Sequence, residues 1–442
     1  MSKNRVNTKI LKFGGTSVSD GDAVRRVAVI LAADETPRKV VVVSAQAGVT
    51  TALLRALDDP GGVDDVVARW RGLARELGLG AGVVDPFAGE LRRAVSGPLA
   101  PAPKADLVAS YGERVSASLV AAFFNKVGLR AAAVDARGVV VTDGNFGNAR
   151  PDEAATAERA RRLLEPLLAA GELPVVTGFI GADRRGRTTT LGRGGSDLTA
   201  TLLGAFLAAD EVEIWTDADG IMSADPRVIP GARLVTRLSY DEAVELSNFG
   251  AKVVFNKSLP PAIRAGLPVR VRNTFNPSSP GTVIAAAKDA ANFAVTTKSH
   301  VRVATVATPE MVGAVGFLAR LFEIFESFDL SVDVVAVSEA SVSVTFNNFD
   351  DAREPELRAA LRRLGEAEVK RDRSIVAVIS KYLDDEQAIF PKIFGALAER
   401  GVDIEMISYG NREINLTLIV DEAREKETLR IIHGLFEDNF RR

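Results

Sequence analysis

The sequence predicts an α/β protein: a mostly parallel sheet flanked by helices over the first 290 residues, then a smaller, repeated α+β region. Three observations lead there. Short apolar runs such as Lys39–Ala45 (KVVVVSA) alternate with long amphipathic stretches, as strands and crossover helices do in a sheet covered on both faces. Glycine-rich turns follow strand-like runs and open helical ones. Beyond about residue 290 the pattern changes to segments that recur with a spacing of 72 residues.

In chain order, Ile10–Phe13 ends a first strand, Gly14-Gly15-Thr16-Ser17 turns the chain, and a helix is expected from about Asp20 to Ala33. Strand, glycine turn and helix form an anion cradle, because exposed amides and the positive end of the helix dipole converge. Lys12 stands at its lip, ahead of the glycines, so this is not a Walker loop. Lys39–Ala45 is the second strand, and Thr50 in the following loop can cap a helix or offer a hydroxyl to a ligand. Helical patterns cover about 63–78 and 84–96, GPLAPAP (97–103) reads as a hinge-like break, and a long helix is expected from Asp106 to Val127. Glu113 lies mid-helix, where an acid usually faces water. A strand at Leu129–Asp135, the loop VVVTDGNFGNARP, a helix over about 152–170 and a strand at Pro174–Gly181 continue the alternation.

The stretch from Thr188 to Asp217, TTTLGRGGSDLTATLLGAFLAADEVEIWTD, is the centre of the chain's chemistry. Its opening hydroxyls and glycines look unable to form a core, and Ser196 is expected to cap a helix ending at Ala209–Asp210. The amides of Gly194 and Gly195 then join the helix dipole in facing one spot, which attracts an anion. Arg193 adds a planar fork suited to a carboxylate or phosphate. Asp197 either compensates the dipole or orients a lysine or a metal-bound phosphate. Glu211–Asp217 alternates into a strand that leaves Thr216 and Asp217 at its carboxyl end, where open α/β sheets bind ligands. A loop-rich segment with Arg227, helical pieces at Ser239–Leu246 and Pro260–Ala265 around Lys252, and a strand at Pro268–Asn273 close this region near residue 290.

In the remainder, Phe317–Phe328 and Phe390–Glu399 are helical, each followed by a strand, LSVDVVAV and VDIEMISYG. Phe322 matches Phe394, Leu330 matches Val402, Asp333 matches Glu405 and Ser338 matches Gly410, each 72 residues apart. Two copies of a β-α-β-type unit are implied, each too small for a generous core, so the pair packs together or dimerises.

Composition narrows the function. With 442 residues, two or three domains are expected, and a net charge of −3 argues against nucleic acid as the main partner. There is no cysteine, which excludes disulfides, thiolate–zinc sites and cysteine nucleophiles, and no dedicated metal site is expected. The N-terminal stretch carries no secretory signal pattern and no run reaches transmembrane length, so no membrane partner is expected and the location is expected to be cytoplasmic. The only histidines are His300 and His433, so the first 290 residues offer no imidazole base.

Lys12, Arg193 and Lys252, with Arg227 as a fourth cation, surround an anion cradle with Asp197 and Asp217 to orient them. Phosphoryl transfer fits, since it needs charge neutralisation and alignment more than covalent chemistry by the protein. An acceptor hydroxyl would want a base, whereas a carboxylate (pKa of about 4) is already ionised at pH 7. The residues therefore point to a kinase acting on a carboxylate.

KFGGTSV (12–18), VVSAQAGVT (42–50), TLGRGGSDLTA (190–200), WTDADGIMSADPR (215–227) and NFGAKV (248–253) together resemble the aspartate kinases, and the C-terminal repeat resembles their paired ACT modules. The resemblance implies an amino-acid-kinase α/β/α sandwich over 1–290. Two ferredoxin-like ACT modules would follow over 291–442, at about 300–372 and 373–442, with interleaving of their strands left open. It implies transfer of the γ-phosphate of Mg-ATP to the β-carboxylate of L-aspartate, the step that opens lysine, threonine and methionine synthesis. Lys12, Phe13, Gly14 and Gly15 would meet the phosphates, with Lys12 and Lys252 catalytic and Asp197 holding the lysines. Thr216, Asp217, Met222, Arg227, Lys252 and Val253 would line the nucleotide site. Aspartate would lie against Thr50, Glu113, Arg193, Gly194, Gly195 and Ser196, with Glu113 reading its ammonium and Arg193 a carboxylate.

Three places depart from the family's habit. Val254-Phe255-Asn256 replaces leucine-histidine-proline, and Met222 stands where a tyrosine is common; both bear on nucleotide affinity. Val141, Asn145 and Asn148 occupy a loop that is often arginine-rich, which bears on domain closure or the subunit interface. In the repeat, Met311, Gly316, Phe317, Leu318, Ser331, Asp333, Ser338 and Glu339 fall where lysine-sensitive members bind lysine. Ala314 and Val337 replace a serine and a threonine there. The resemblance thus implies an amino-acid effector, lysine first and threonine second, and a homodimer or homotetramer formed through the ACT region. Two other readings are a non-catalytic amino-acid sensor, whose mark would be loss of Lys12 or Asp197, and a sibling kinase acting on glutamate, acetylglutamate or a nucleotide. Glu113 with Arg193 and the tandem tail argue against the sibling.

Overall fold

The computed structural model of the chain describes residues 6–249, 255–286, 293–380, 383, 386–409 and 414–436. They fall into two compact units, one within Met1–Ile221, Thr236–Val244 and Lys252–Lys288, the other within Met222–Val235, Glu245–Ala251 and Asp289–Arg442.

In the first unit the chain runs β1 (Thr8–Phe13), α1 (Gly21–Ala33), β2 (Arg38–Val43), α2 (Val49–Arg55), α3 (Gly62–Glu76), α4 (Asp85–Ser96), α5 (Pro101–Lys126), β3 (Ala131–Val134) and β4 (Val141–Thr142). It continues through α6 (Glu153–Ala169), β5 (Leu173–Thr177), β6 (Ile180–Asp183), β7 (Thr188–Thr190), α7 (Gly195–Phe206) and β8 (Glu211–Thr216). The last pieces are β9 (Arg237–Ser239), α8 (Tyr240–Asn248), α9 (Leu259–Ala265), β10 (Val269–Asn273) and β11 (Thr282–Ala285). The large sheet has eight strands in the order β3-β5-β2-β1-β8-β10-β11-β9, and the neighbours from β3 to β10 are all parallel. The apolar run of β2 sits near its middle, as a strand buried on both faces should. Leu11, Phe13, Val41 and Val43 pack with α1 to α5 on one side, while α7 lies on the other. A three-stranded sheet, β4-β6-β7, stands beside it.

Several expectations need correcting. The hinge-like GPLAPAP is half helix, because α5 starts at Pro101, and prolines in a first turn lose only amides that have no intrahelical partner. The run Pro174–Gly181 is two strands in two sheets. The opening threonines of the central stretch are not coreless: Thr188–Thr190 form the buried strand β7, and their hydroxyls and amides find partners inside. Asp106, itself buried, accepts both the amide (2.7 Å) and the hydroxyl (2.9 Å) of Thr190. α7 stops at Phe206, before Ala209.

The second unit carries β12 (Phe293–Ala307), α10 (Phe317–Ser327), β13 (Val332–Val337), β14 (Ser341–Phe346), α11 (Glu354–Leu361), β15 (Glu366–Ser380), α12 (Glu386–Glu399), β16 (Met406–Ser408), β17 (Asn415–Asp421) and α13 (Glu425–Phe436). Its six-stranded antiparallel sheet runs β13-β14-β12-β15-β17-β16. β12 and β15 are both 15 residues long and pair with each other along most of their length. The later half of β12 pairs with β14 and the later half of β15 with β17, so each long strand serves both copies of the repeat. Backbone torsions repeat as well: His300 (φ 57°) and Asp372 (φ 56°) break the long strands, and Asp329 (φ 55°) and Gly401 (φ 62°) end helices, each pair 72 residues apart. The strand expected over VDIEMISYG is shorter, Met406–Ser408, and Gly410 lies outside the described residues.

Candidate active site

Side chains alternate along a strand, so Leu11 and Phe13 point into the core of the first unit and Lys12 points the opposite way, toward α7. Its ammonium meets Asp197 Oδ1 at 2.5 Å, with the two residues only 9% and 2% exposed. An ion pair so enclosed escapes most salt screening. The turn after β1 is stitched to its neighbours: the Gly14 amide donates to the Trp215 carbonyl (3.1 Å), and the Ala47 amide to the Gly15 carbonyl (3.0 Å). A Cβ on Gly15 would stand 2.7 Å from the Ala45 carbonyl oxygen, so the close approach needs glycine. The Phe13 ring is fully buried and stacked on Trp215 at 5.8 Å, so any part it takes in the expected phosphate contact falls to its backbone.

α7 begins at Gly195, after Gly194 in the left-handed region (φ 75°), and no side chain caps it. Ser196 is therefore not the cap: it sits in the first turn, where its Oγ accepts a hydrogen bond from Ser44 Oγ at 2.9 Å. The Gly195 amide, expected to face an anion, instead donates to the Gly192 carbonyl (3.0 Å) in the tight turn, so the uncapped start of α7 offers a ligand the amides that follow it and the positive dipole end. Thr50 likewise lies inside the first turn of α2, behind Gly48 (φ 81°).

Glu113 is 3% exposed, contrary to the water-facing expectation, because both faces of this part of α5 are covered. Its Oε1 accepts the Ala45 amide at 3.1 Å, Oε2 has no protein partner among the described residues, and burial pushes its pKa up to about 8. Arg193 is exposed, and its guanidinium lies 5.5 Å from the ring centre of Phe255.

A cleft of about 220 Å³ gathers Lys12, Thr50, Glu113, Arg193, Gly194, Gly195, Ser196 and Asp197. Ser44, Phe179 and Phe255 line it too; sequence reasoning gave Ser44 and Phe179 no role and tied Phe255 only to nucleotide affinity, not to this cleft. Ser44 directly follows β2, so the rule that ligands lie at carboxyl ends of strands could have found it. Phe179 had no such signal. It takes a left-handed backbone (φ 68°), held by its amide donating to Thr199 Oγ1 (3.2 Å) and its carbonyl accepting from Leu191 (2.8 Å), and this kink passes the chain from β5 to β6.

The residues expected to line a nucleotide site are less concentrated. Thr216 ends β8 and Asp217 follows it, with Thr216 Oγ1 donating to Asp217 Oδ1 at 3.1 Å, both outside the lining of the cleft. Met222 and Arg227 belong to the second unit, where Met222 bridges Leu234 through the backbone and the Arg227 guanidinium is held on Asp225 at 2.7 Å. Lys252 and Val253 lie outside the described residues. Among the residues expected to bind an effector, Gly316 (φ 80°) precedes α10, Phe317 is buried in a core cluster, and Ala314, Leu318, Ser331 and Glu339 are exposed, with Met311 partly so. Ser338 Oγ meets Ser341 Oγ at 2.7 Å, and the Asp333 carboxylate pairs with Lys298 Nζ at 2.7 Å.

A strand-borne lysine is paired with a helix-start aspartate beside a buried acid and an exposed arginine, and comparison with known proteins places the chain. Residues 7–273 match the amino acid kinase family, and residues 376–436 match an ACT domain. The chain is 33% identical to aspartokinase 2, chloroplastic, of Arabidopsis thaliana, over 97% of this chain and 84% of that protein. It is 34% identical to the lysine-sensitive aspartokinase 3 of Escherichia coli K12, over 97% of this chain and 99% of that protein. The crystal structure of E. coli aspartokinase III in complex with aspartate and ADP (R-state) superposes with a TM-score of 0.84 at 32% identity, covering 98% of this chain and 100% of that one. Full-length kinship above 30% identity, on an amino-acid-kinase region followed by ACT architecture, makes this chain a member of the aspartokinases.

Proposed function

We propose that the chain transfers the γ-phosphate of ATP to the β-carboxylate of L-aspartate, giving 4-phospho-L-aspartate and ADP. The observation that carries this reading is the gathering of Lys12–Asp197, Glu113 and Arg193 in one cleft at the start of α7. Lys12 and the uncapped amides of α7 neutralise charge that builds on the transferred group, and Asp197 fixes the ammonium in place. The attacking carboxylate is ionised already, so no base is required. Glu113 receives the substrate ammonium on its unpartnered oxygen, and Arg193 grips a carboxylate. Thr216 and Asp217, with Phe13 to Gly15, Met222, Arg227, Lys252 and Val253, are assigned to the nucleotide. Among the described residues no cluster of three or more acids or imidazoles could cage a metal ion, and Mg²⁺ here is the ion that ATP brings on its own phosphates. No described helix is long and apolar enough to cross a membrane. A cytoplasmic enzyme at the head of lysine, threonine and methionine synthesis fits this substrate pair. The test is ADP release with a panel of amino acids: L-aspartate should support it, and activity with L-glutamate or N-acetylglutamate in its place contradicts the reading.

The ACT region is proposed to assemble the enzyme and to bind a feedback amino acid. Val312, Val315, Leu318 and Phe322 expose apolar surface around the start of α10, which supports an interface between copies. Lysine is the first expected effector, and inhibition should need millimolar concentrations. Asp333 already carries the Lys298 ammonium, and the hydroxyls replaced by Ala314 and Val337 would each have added about 0.5–1.5 kcal/mol. Calorimetry with lysine and threonine beside inhibition curves checks this; silence of both at millimolar concentration means the region only assembles the enzyme.

A further inference from the structure

We propose that Phe255 is a positioning residue for substrate recognition: its ring holds the Arg193 guanidinium over the cleft while leaving the guanidinium donors free. The inference rests on the aspartate reading above and adds to it a residue that reading does not assign.

Arg193 presents a long, exposed side chain on the glycine turn before α7, and such a chain loses much rotamer freedom when it grips a ligand. Something must hold it if binding is to be tight. A neighbouring carboxylate would do so, yet it would occupy the N–H fork and compete with the substrate's own carboxylate. Among the described residues Arg193 forms no ion pair; the group it meets is the Phe255 ring, at 5.5 Å from the centroid. A ring face attracts the cation through its quadrupole and accepts none of the in-plane hydrogen bonds. The arginine is thus oriented with its charge and donors still available.

Phe255 is itself well fixed. Its backbone is extended (φ −95°), and its carbonyl accepts both the amide (2.8 Å) and the hydroxyl (2.6 Å) of Ser258 at the turn into α9. The ring lies against the backbone of Gly194: a Cβ there would stand 2.5 Å from the Phe255 Cβ. Arg193, Gly194 and Phe255 all line the same cleft as Glu113. The ring therefore packs on the turn and faces the guanidinium at once.

The experiment compares wild type with Phe255→Leu, which keeps apolar bulk and loses the π face, and Phe255→Tyr, which keeps it. In Phe255→Leu the KM for aspartate should rise about three- to tenfold, with the KM for ATP unchanged, and Phe255→Tyr should stay near wild type. In an Arg193→Met background Phe255→Leu should add nothing further. The Arg193 Nε–H resonance of the free protein should show a ring-current shift in wild type and Phe255→Tyr that vanishes in Phe255→Leu. An unchanged aspartate KM in Phe255→Leu, a matching rise for ATP, or additive effects with Arg193→Met overturns the inference. A wild type that turns over no aspartate overturns the substrate reading instead, and the resonance still reports whether the ring holds the arginine.

Discussion

Lys12→Ala is expected to lower kcat by about 10²–10³, because it removes a preorganised cation from the transferred phosphate, a loss worth roughly 3–4 kcal/mol. The same change should destabilise the fold, since Asp197 is 2% exposed and would be left as a buried, uncompensated charge. Breaking one side of such a pair costs about 3–5 kcal/mol. The two effects separate in Lys12→Met with Asp197→Asn, in which neither charge remains. Its denaturation midpoint should return toward wild type while its kcat stays low. Wild-type turnover in either variant would remove Lys12 from the chemistry, and a double variant as unstable as Lys12→Ala would show that the stability cost lies elsewhere.

Glu113→Gln is expected to raise the KM for aspartate by about a hundredfold or more, through loss of a buried ionic partner worth roughly 3 kcal/mol, with the KM for ATP nearly unchanged. The carboxyl of the free enzyme, pushed up to about 8 by burial, is mostly protonated at neutral pH. Binding the aspartate ammonium requires it to ionise, so wild-type KM for aspartate should fall about tenfold per pH unit from about pH 6 and level off near pH 8. Glu113→Gln should lose that slope. Stability carries the opposite sign. Between the ordinary value of 4.5 and about 8, the folded state holds a proton that the unfolded state has lost. Stability of the ligand-free protein therefore falls as pH rises through that window, and the glutamine variant should lack this contribution. Equal KM changes for both substrates, or a flat wild-type profile for aspartate, would make Glu113 a structural acid of α5.

Much of this was legible in the sequence, for identifiable reasons. β2 is a short apolar run and β1 and β8 are short segments rich in β-branched and aromatic residues, the material of strands in a parallel sheet covered on both faces. The 72-residue spacing that pairs Phe322 with Phe394 also spaces His300 and Asp372, because both copies break their long strand at the same point. The features that escaped depend on tertiary contact. Nothing local distinguishes a solvated Glu113 from a buried one; its burial follows from what packs on α5. Thr188–Thr190 look polar, yet Asp106, more than eighty residues earlier, satisfies Thr190 inside. Phe179 occupies a torsion that sequence assigns to glycine, and only the hydrogen bonds its amide gives to Thr199 Oγ1 and its carbonyl takes from the Leu191 amide explain it. Ser196 has the right identity for a helix cap, but Gly194 and its left-handed turn take that place.

The central claim is that an ionised side-chain carboxylate of aspartate, and no hydroxyl, receives the phosphate. Trapping with hydroxylamine tests it most directly, because the nucleophile converts an acyl phosphate to a hydroxamate and leaves a phosphate ester intact. With Mg-ATP, L-aspartate and hydroxylamine, the account predicts the aspartyl β-hydroxamate by mass spectrometry, in step with the ADP released. ADP release without hydroxamate, or a hydroxamate on the α-carboxyl, would contradict it.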